Sequence, residues 1–177
     1  MRIKSLWIPV VAICMFAAIL FGAKTATAGM AHTNYEKELN TLMLALLPGS
    51  TSFTEEVYEG EDANIKAVYR AENGCVIMTS TYGYAGDIVM LIGVENDGDV
   101  KGLVVREMSE TYGLGAKALS DVDFLAQFLW TEGDAEVGTN VDAITGATVT
   151  SKAVARSVNS AVGFMTGVDA TTSATTW

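Results

Sequence analysis

Reactive and basic side chains are scarce in this chain. Its 177 residues include one histidine, two cysteines and two prolines, and 11 Lys and Arg stand against 21 Asp and Glu. Cys14 and Cys75 are far apart and belong to no paired motif, so neither a disulfide between them nor a cysteine-ligated metal or iron–sulfur cluster is expected. His32 lies in a polar stretch beside an apolar run; a Ser-His-Asp triad would have to use it, and an exposed linker is the simpler reading. All 21 acidic residues fall after position 30, against 8 of the basic ones, which gives the body of the protein a net charge of −13. Such a surface repels nucleic acid and anionic lipid headgroups, so no nucleic-acid partner is expected. Only 18% of residues are charged and half are hydrophobic, which excludes a disordered chain. The length accommodates one domain with a sizeable core.

The apolar content is concentrated first in Ser5–Ala23, nineteen residues without a charge. As a helix they would span about 28 Å, close to the hydrocarbon thickness of a bilayer. Pro9 falls in the first turns, where a missing N–H matters least. Arg2 and Lys4 before the run outnumber Lys24 after it, which favours a cytoplasmic N-terminus. Ala26-Thr27-Ala28 has the form of a signal-peptidase site, so a cleaved signal peptide is the alternative. The run exceeds the roughly 7–15 residues of a signal core, and a retained anchor is preferred. A lipobox at Val11-Ala12-Ile13-Cys14 is dismissed, because apolar residues continue past the cysteine. Either reading places the body outside the cytoplasmic membrane. The expected organisation is an anchor or signal segment with linker over 1–28, one extracytoplasmic domain over 29–168, and a Thr-rich tail over 169–177.

Residues 34–47 carry Leu39, Leu42, Met43, Leu46 and Leu47 at helical spacing, and Pro48-Gly49 stops the helix. Five segments then read as strands, being rich in Val, Ile, Thr and Tyr: 52–59, 65–71, 75–82, 88–94 and 100–108. Asn96-Asp97-Gly98-Asp99 is a strong hairpin signal. Consecutive strands without intervening helices predict an antiparallel sheet. A helix is expected over 121–130, capped by Ser120 or Asp121 and buried through Phe124, Leu125, Phe128 and Leu129. A last helix is expected over 151–165, with Val154, Val158, Ala161 and Val162 on its core side. The fold class is α+β: a mainly antiparallel sheet with packed helices, preceded by one transmembrane helix.

Between those two helices lies Asp142-Ala143-Ile144-Thr145-Gly146-Ala147-Thr148-Val149-Thr150, which fits D-x-x-[ST]-G-A-T-x-[ST] at six constrained positions. Thr145-Gly146-Ala147-Thr148 is a small-residue turn leading into a helix, where a bulky ligand can approach the backbone. The first N–H groups of a helix point outward at the positive end of its dipole and suit a phosphate. Lys152 would add charge in the first turn. On its own the segment also reads as a Thr/Gly-rich helix start. Gly113-Leu114-Gly115-Ala116-Lys117-Ala118 fits the dinucleotide-binding pattern G-x-G-x-x-[GA], but a parallel strand–helix–strand unit around it is not evident, and the match is weak.

The nine-residue motif resembles that of proteins carrying FMN on a threonine through a phosphoester. Residues 34–167 are similar to the FMN-binding domain shared by the G subunit of the Rnf ion-translocating electron-transport complex and the C subunit of the sodium-translocating NADH:quinone oxidoreductase. Gly83-Tyr84-Ala85-Gly86-Asp87-Ile88 resembles the family's GY-x-G-x-I strand entry, and Glu110-Thr111-Tyr112-Gly113-Leu114-Gly115 its ETPGLG loop beside the flavin. Tyr112 stands where that loop usually has proline. The short chain and GLGAKA after the loop favour the Rnf type.

The resemblance implies covalent FMN on the side-chain oxygen of Thr150. It implies flavin contacts from Thr145, Gly146, Ala147, Thr148, Asp142, Lys152, Glu110, Thr111, Gly113, Leu114, Gly115 and Tyr84, with no metal site. Asp142 would contact the modifying enzyme or order the turn. The implied partners are the membrane subunits of an Rnf-type complex and an FAD:protein FMN transferase. The implied function is electron relay within a ferredoxin:NAD oxidoreductase coupled to Na⁺ or H⁺ translocation, as a carrier rather than a catalyst alone. A stand-alone exported flavoprotein and a non-redox exported binding module are the alternatives.

Overall fold

The computed structural model describes residues 34–110 and 112–167. The apolar run, the Ala26–Ala28 site, Cys14, His32, Thr111 and the tail lie outside the described residues. Among the described residues no helix is long and apolar enough to cross a membrane. The chain divides into two compact units, Met1–Thr41 and Leu42–Trp177, and the second contains the whole sheet. Helix α1 covers 34–46, and from Leu42 onward it belongs to that second unit.

The sheet is an antiparallel meander of five strands in the order β1-β2-β3-β4-β5: Thr54–Glu56, Ile65–Arg70, Gly74–Tyr82, Asp87–Glu95 and Val100–Met108. Each expected strand is present, with ends moved by a few residues. The largest departure is β1, expected over 52–59 but three residues long. Its chain leaves the edge where the Tyr58 hydroxyl accepts the N–H of Asp62 (3.1 Å). The Asn96–Asp99 turn closes as its residues predict, with Gly98 at φ +97° and its N–H bonded to Glu95 O. Because the sheet is entirely antiparallel, Gly113–Ala118 does not sit in a strand–helix–strand dinucleotide fold.

Cross-strand register sorts the side chains onto two faces. Ile77, Ile92 and Leu103 align on one, as do Thr79, Met90 and Val105. Over that face runs the long helix α4, Thr148–Thr166, whose Ala153, Val154, Val158, Ala161 and Val162 are buried in the same core. Thr81 fixes its height: the Oγ1 hydroxyl reaches Ala153 O (3.0 Å) and Ser157 Oγ (2.9 Å). Cys75 is fully buried in this core, and burial pushes its thiol up, away from the reactive thiolate.

The other face carries Val76, Met78, Leu91 and the pair Gly93–Gly102. The glycine pair forms a groove for Leu46 at the end of α1: a Cβ on Gly93 would meet the Leu46 carbonyl oxygen, and one on Gly102 would lie 3.1 Å from Leu46 Cα. Both obstacles are backbone and give way only if the helix shifts. Gly93→Ala is therefore expected to cost about 1–3 kcal/mol, the range for overpacking, read as a lower urea midpoint. An unchanged midpoint would mean that the end of α1 does not press on this groove.

Two short helices connect the sheet to α4: α2, Gly115–Ala118, and α3, Val122–Ala126. The expected helix over 121–130 is α3 continued by a 3-10 turn, Gln127–Trp130. Asp121 caps it as anticipated, accepting Phe124 N–H at 3.0 Å, and Phe124 meets Phe128 edge to face at 5.3 Å. The connection from that turn to α4 is fastened by Asn159, whose amide bonds both Ala135 N–H (2.9 Å) and Ala135 O (3.0 Å) in the interior.

Candidate functional site

The last helix begins three residues earlier than the sequence suggests. Residues 144–147 form a turn closed by Ala147 N–H to Ile144 O (2.9 Å), with Gly146 at φ +81°. That left-handed geometry suits glycine and explains its place in the motif. Ala147 is the N-cap, and Thr148, Val149 and Thr150 form the first turn. Their N–H groups precede the first intrahelical bond, from Ser151 N–H to Ala147 O (2.9 Å). β-Branched residues are tolerated here because the Ser151 hydroxyl completes the junction, donating to Ala147 O (3.0 Å) and accepting Ile144 N–H (3.3 Å).

A cavity of about 460 Å³ opens over this helix start, lined by Tyr84, Glu110, Leu114, Gly115, Gly146, Ala147, Thr148, Val149 and Thr150. Three separate segments meet there. Tyr84 comes from the β3–β4 turn, where Gly83 N–H bonds Gly86 O (2.8 Å). Glu110, Leu114 and Gly115 come from the loop after β5 and the start of α2. The remainder is the motif.

Glu110 joins the first two segments, its Oε1 accepting Tyr84 N–H at 2.6 Å. Its carboxylate is wedged between two glycines. A Cβ on Gly83 would collide with Oε1, and one on Gly115 would lie 2.6 Å from Oε2 and 3.1 Å from Thr150 Oγ1. Oε2 is buried and has no hydrogen-bond partner among the described residues. Thr150 is 1% exposed, whereas Tyr84 and Leu114 at the cavity wall are 70% and 55% exposed.

Of the residues singled out from the sequence, Thr150, Gly146, Ala147, Thr148, Glu110, Leu114, Gly115 and Tyr84 line the cavity. Thr145, Asp142, Gly113 and Lys152 are not among its lining residues. With α4 starting at Thr148, Lys152 is its fifth residue and lies about 200° around the helix from Thr150. Asp142 is exposed, and what the protein holds there is its backbone: Gln127 Oε1 accepts its N–H (2.8 Å) and Gln127 Nε2 donates to its carbonyl (3.3 Å). Tyr112, in the place of the expected proline, is 99% exposed and does not line the cavity. Val149 was not anticipated as a wall residue, although it occupies the unconstrained position of the motif. No sequence signal pointed to the Gln127 clamp.

The site also meets the physical requirements of a flavin phosphate. Its volume falls within the ~300–1,000 Å³ usual for ligand pockets. It offers unbonded helix N–H groups for an anion, a hydroxyl beside them, glycines where a side chain would obstruct, and apolar wall from Leu114 and Val149. In comparison with known proteins, residues 83–163 match the FMN-binding domain.

The particular relatives are G subunits of ion-translocating redox complexes. The chain is 34% identical over 115 residues to the G subunit of the Na(+)-translocating ferredoxin:NAD(+) oxidoreductase complex of Acetobacterium woodii, covering 60% of this chain and 53% of the relative. It is 39% identical over 94 residues to the G subunit of the proton-translocating ferredoxin:NAD(+) oxidoreductase complex of Clostridium ljungdahlii, covering 49% and 50%. It is 34% identical over 113 residues to the G subunit of the ion-translocating oxidoreductase complex of Methanosarcina acetivorans, covering 61% and 57%. The chain thus resembles G subunits of ion-translocating oxidoreductase complexes and spans about half the length of the curated relatives it matches.

Proposed function

We propose that this protein is an electron-transfer flavoprotein carrying FMN on Thr150 through a phosphoester. The observation that carries the proposal is the placing of Thr150 Oγ1 in the first turn of α4, inside a cavity whose wall also includes Gly115, Glu110 and the Gly146 turn. FMN, when bound, supplies one- and two-electron transfer. The protein's part is to hold it. Thr150 is the attachment point, and the N–H groups of Thr148, Val149 and Thr150 receive the phosphate at the positive end of the helix. Gly146 and Ala147 let the ligand approach the backbone. Leu114, Val149 and the Tyr84 ring give the apolar surface on which a ring system rests, and Asp142, exposed beside the turn, is available to the modifying enzyme.

The relatives extend the proposal to membership of an Rnf-type complex, with this chain as its G-type component, relaying electrons between ferredoxin and NAD through membrane subunits with Na⁺ or H⁺ translocation. The uncharged run Ser5–Ala23 supports a single-pass anchor with a cytoplasmic N-terminus and the flavin domain outside the cytoplasmic membrane. In that compartment a tethered flavin is retained where a dissociable one would be lost. An FAD:protein FMN transferase would make the bond.

The test is intact mass and in-gel fluorescence of denatured protein after co-expression with a flavin transferase. The protein is expected to gain the mass of one FMN less one water and to fluoresce after denaturation. Thr150→Ala should do neither. Unlabelled protein, with the transferase active on a control acceptor, would leave a binding domain without covalent flavin. Complex membership is checked separately, by co-purification of the membrane subunits with the tagged full chain.

A further inference from the structure

The Glu110 carboxylate is half satisfied. Oε1 has the Tyr84 N–H, while Oε2 is buried without a partner among the described residues. Leaving a buried acceptor unpaired, and a carboxylate oxygen above all, is a cost that folds usually avoid. Here two glycines make room for it, and the point 2.6 Å from Oε2 is also 3.1 Å from Thr150 Oγ1. The orphaned oxygen and the threonine hydroxyl thus flank one position at the cavity wall. A latch joining the β3–β4 turn to the loop after β5 needs Oε1 alone; the placing of Oε2 calls for a separate explanation.

We propose that Glu110 is the proton acceptor for Thr150 during flavin attachment, an inference that rests on the reading of Thr150 given above. The co-reactant is a flavin dinucleotide. Thr150 Oγ attacks the phosphorus on the flavin side of its pyrophosphate, an Oγ–P bond forms, the P–O bond to the adenylate breaks, and the adenylate leaves with that electron pair. Oε2 and Thr150 Oγ1 are not bonded to each other in the resting chain, so the hydroxyl proton passes to Glu110 Oε2 through one bridging water or after the carboxylate turns toward Oγ1, and nothing is oxidised or reduced. The charge count favours this arrangement. Before transfer the carboxylate faces the two charges of the pyrophosphate; afterwards the adenylate carries two charges away and one remains on the phosphodiester, beside a carboxyl group that has taken the proton and can donate to a phosphate oxygen. A fixed carboxylate unable to take up the proton would face the new anion at close range and oppose the product.

Glutamine keeps the shape and can still accept Tyr84 N–H, but it cannot accept the proton. Apo-protein, purified transferase, FAD and Mg²⁺ are mixed, and flavin incorporation is followed by intact mass. Glu110→Gln is expected to label about 100-fold more slowly or worse, the usual contribution of a general base, with its melting midpoint unchanged. Glu110→Ala is expected to be accelerated by added formate in proportion to its concentration. Glu110→Gln labelling at the parent rate would overturn the proposal. If that variant is slow but its melting midpoint has fallen, formate decides: acceleration of Glu110→Ala supports the proposal and no acceleration overturns it. Parent protein that stays unlabelled while a control acceptor is modified removes the Thr150 reading itself, an outcome distinct from a Glu110→Gln variant that labels normally.

Discussion

Gly115→Val is expected to lose flavin attachment almost entirely while remaining folded. The Cβ of any residue at this position would lie 2.6 Å from Glu110 Oε2 and 3.1 Å from Glu110 Cβ and Thr150 Oγ1. Alanine is accommodated if the carboxylate swings aside, since the far end of a glutamate moves readily. Valine adds two methyl groups at the same place, so either α2 lifts away from Thr150 or the hydroxyl is covered. Displacing a reacting group by about 1 Å costs about 100-fold in rate, and the expected fall in labelling rate is at least that. Gly115 is buried at the start of the four-residue helix α2, so overpacking should lower the melting midpoint by the equivalent of about 1–3 kcal/mol, as at Gly93, without unfolding the five-stranded sheet. Time courses of intact mass for Gly115→Ala and Gly115→Val test this. Parent-like labelling of the valine variant would mean that the wall between α2 and Thr150 is not where the hydroxyl is approached.

Asn159→Asp should be strongly destabilising. Asn159 is 1% exposed and forms a two-way bridge to Ala135, accepting from its N–H and donating to its carbonyl. An ionised carboxylate in its place keeps the first bond and turns the second into a repulsion between two acceptors, with a charge in the core between α4 and the loop. Removing one partner from a buried polar pair costs about 1–3 kcal/mol, and more where a charge is left. A loss of about 3–5 kcal/mol near neutral pH is therefore expected, against a total of about 5–15 kcal/mol for a typical domain.

The sign of its pH dependence follows. Burial raises the folded-state pKa of the introduced carboxyl above its unfolded value of about 3.9, so the protonated group, which can donate to the Ala135 carbonyl, restores stability at low pH. That restored stability is lost as pH rises through the folded value. Urea midpoints of parent and variant at pH 7 and pH 5 should differ more at pH 7. An equal difference at both would indicate that the carboxylate has found solvent or another donor.

The sheet was legible because its strands are consecutive, rich in Val, Ile and Thr, and punctuated by turn residues, so that every pairing is between neighbours in the chain. The Gly146 turn was legible for a different reason: φ of +81° is a local backbone demand that glycine meets best, whereas Ala147 and Thr150 were singled out through the nine-residue motif and its family resemblance. What was missed depended on pairs distant in sequence. Gln127 grips the Asp142 backbone and Asn159 grips Ala135, and an isolated Gln or Asn carries no mark of such a partner. The start of α4 was placed late because Thr148, Val149 and Thr150 are poor helix formers when read singly. The Gly146 turn and the Ser151 hydroxyl outweigh that preference. The same error put Lys152 in the first turn; the roles read for Asp142 and Gly113 rest on family resemblance.

The order in which the cavity's walls occur along the chain has a consequence for biogenesis. Its sheet side is built from neighbouring hairpins, which need no distant partner and form early. Thr150 and its turn belong to the last described element, which must dock across the finished strands before the hydroxyl, Glu110 and Gly115 come together. A half-made molecule can contain every strand and still offer no acceptor. Attachment at Thr150 would then be a seal of quality, set only on molecules whose final helix has closed, and the unlabelled fraction in a cell would count those still incomplete.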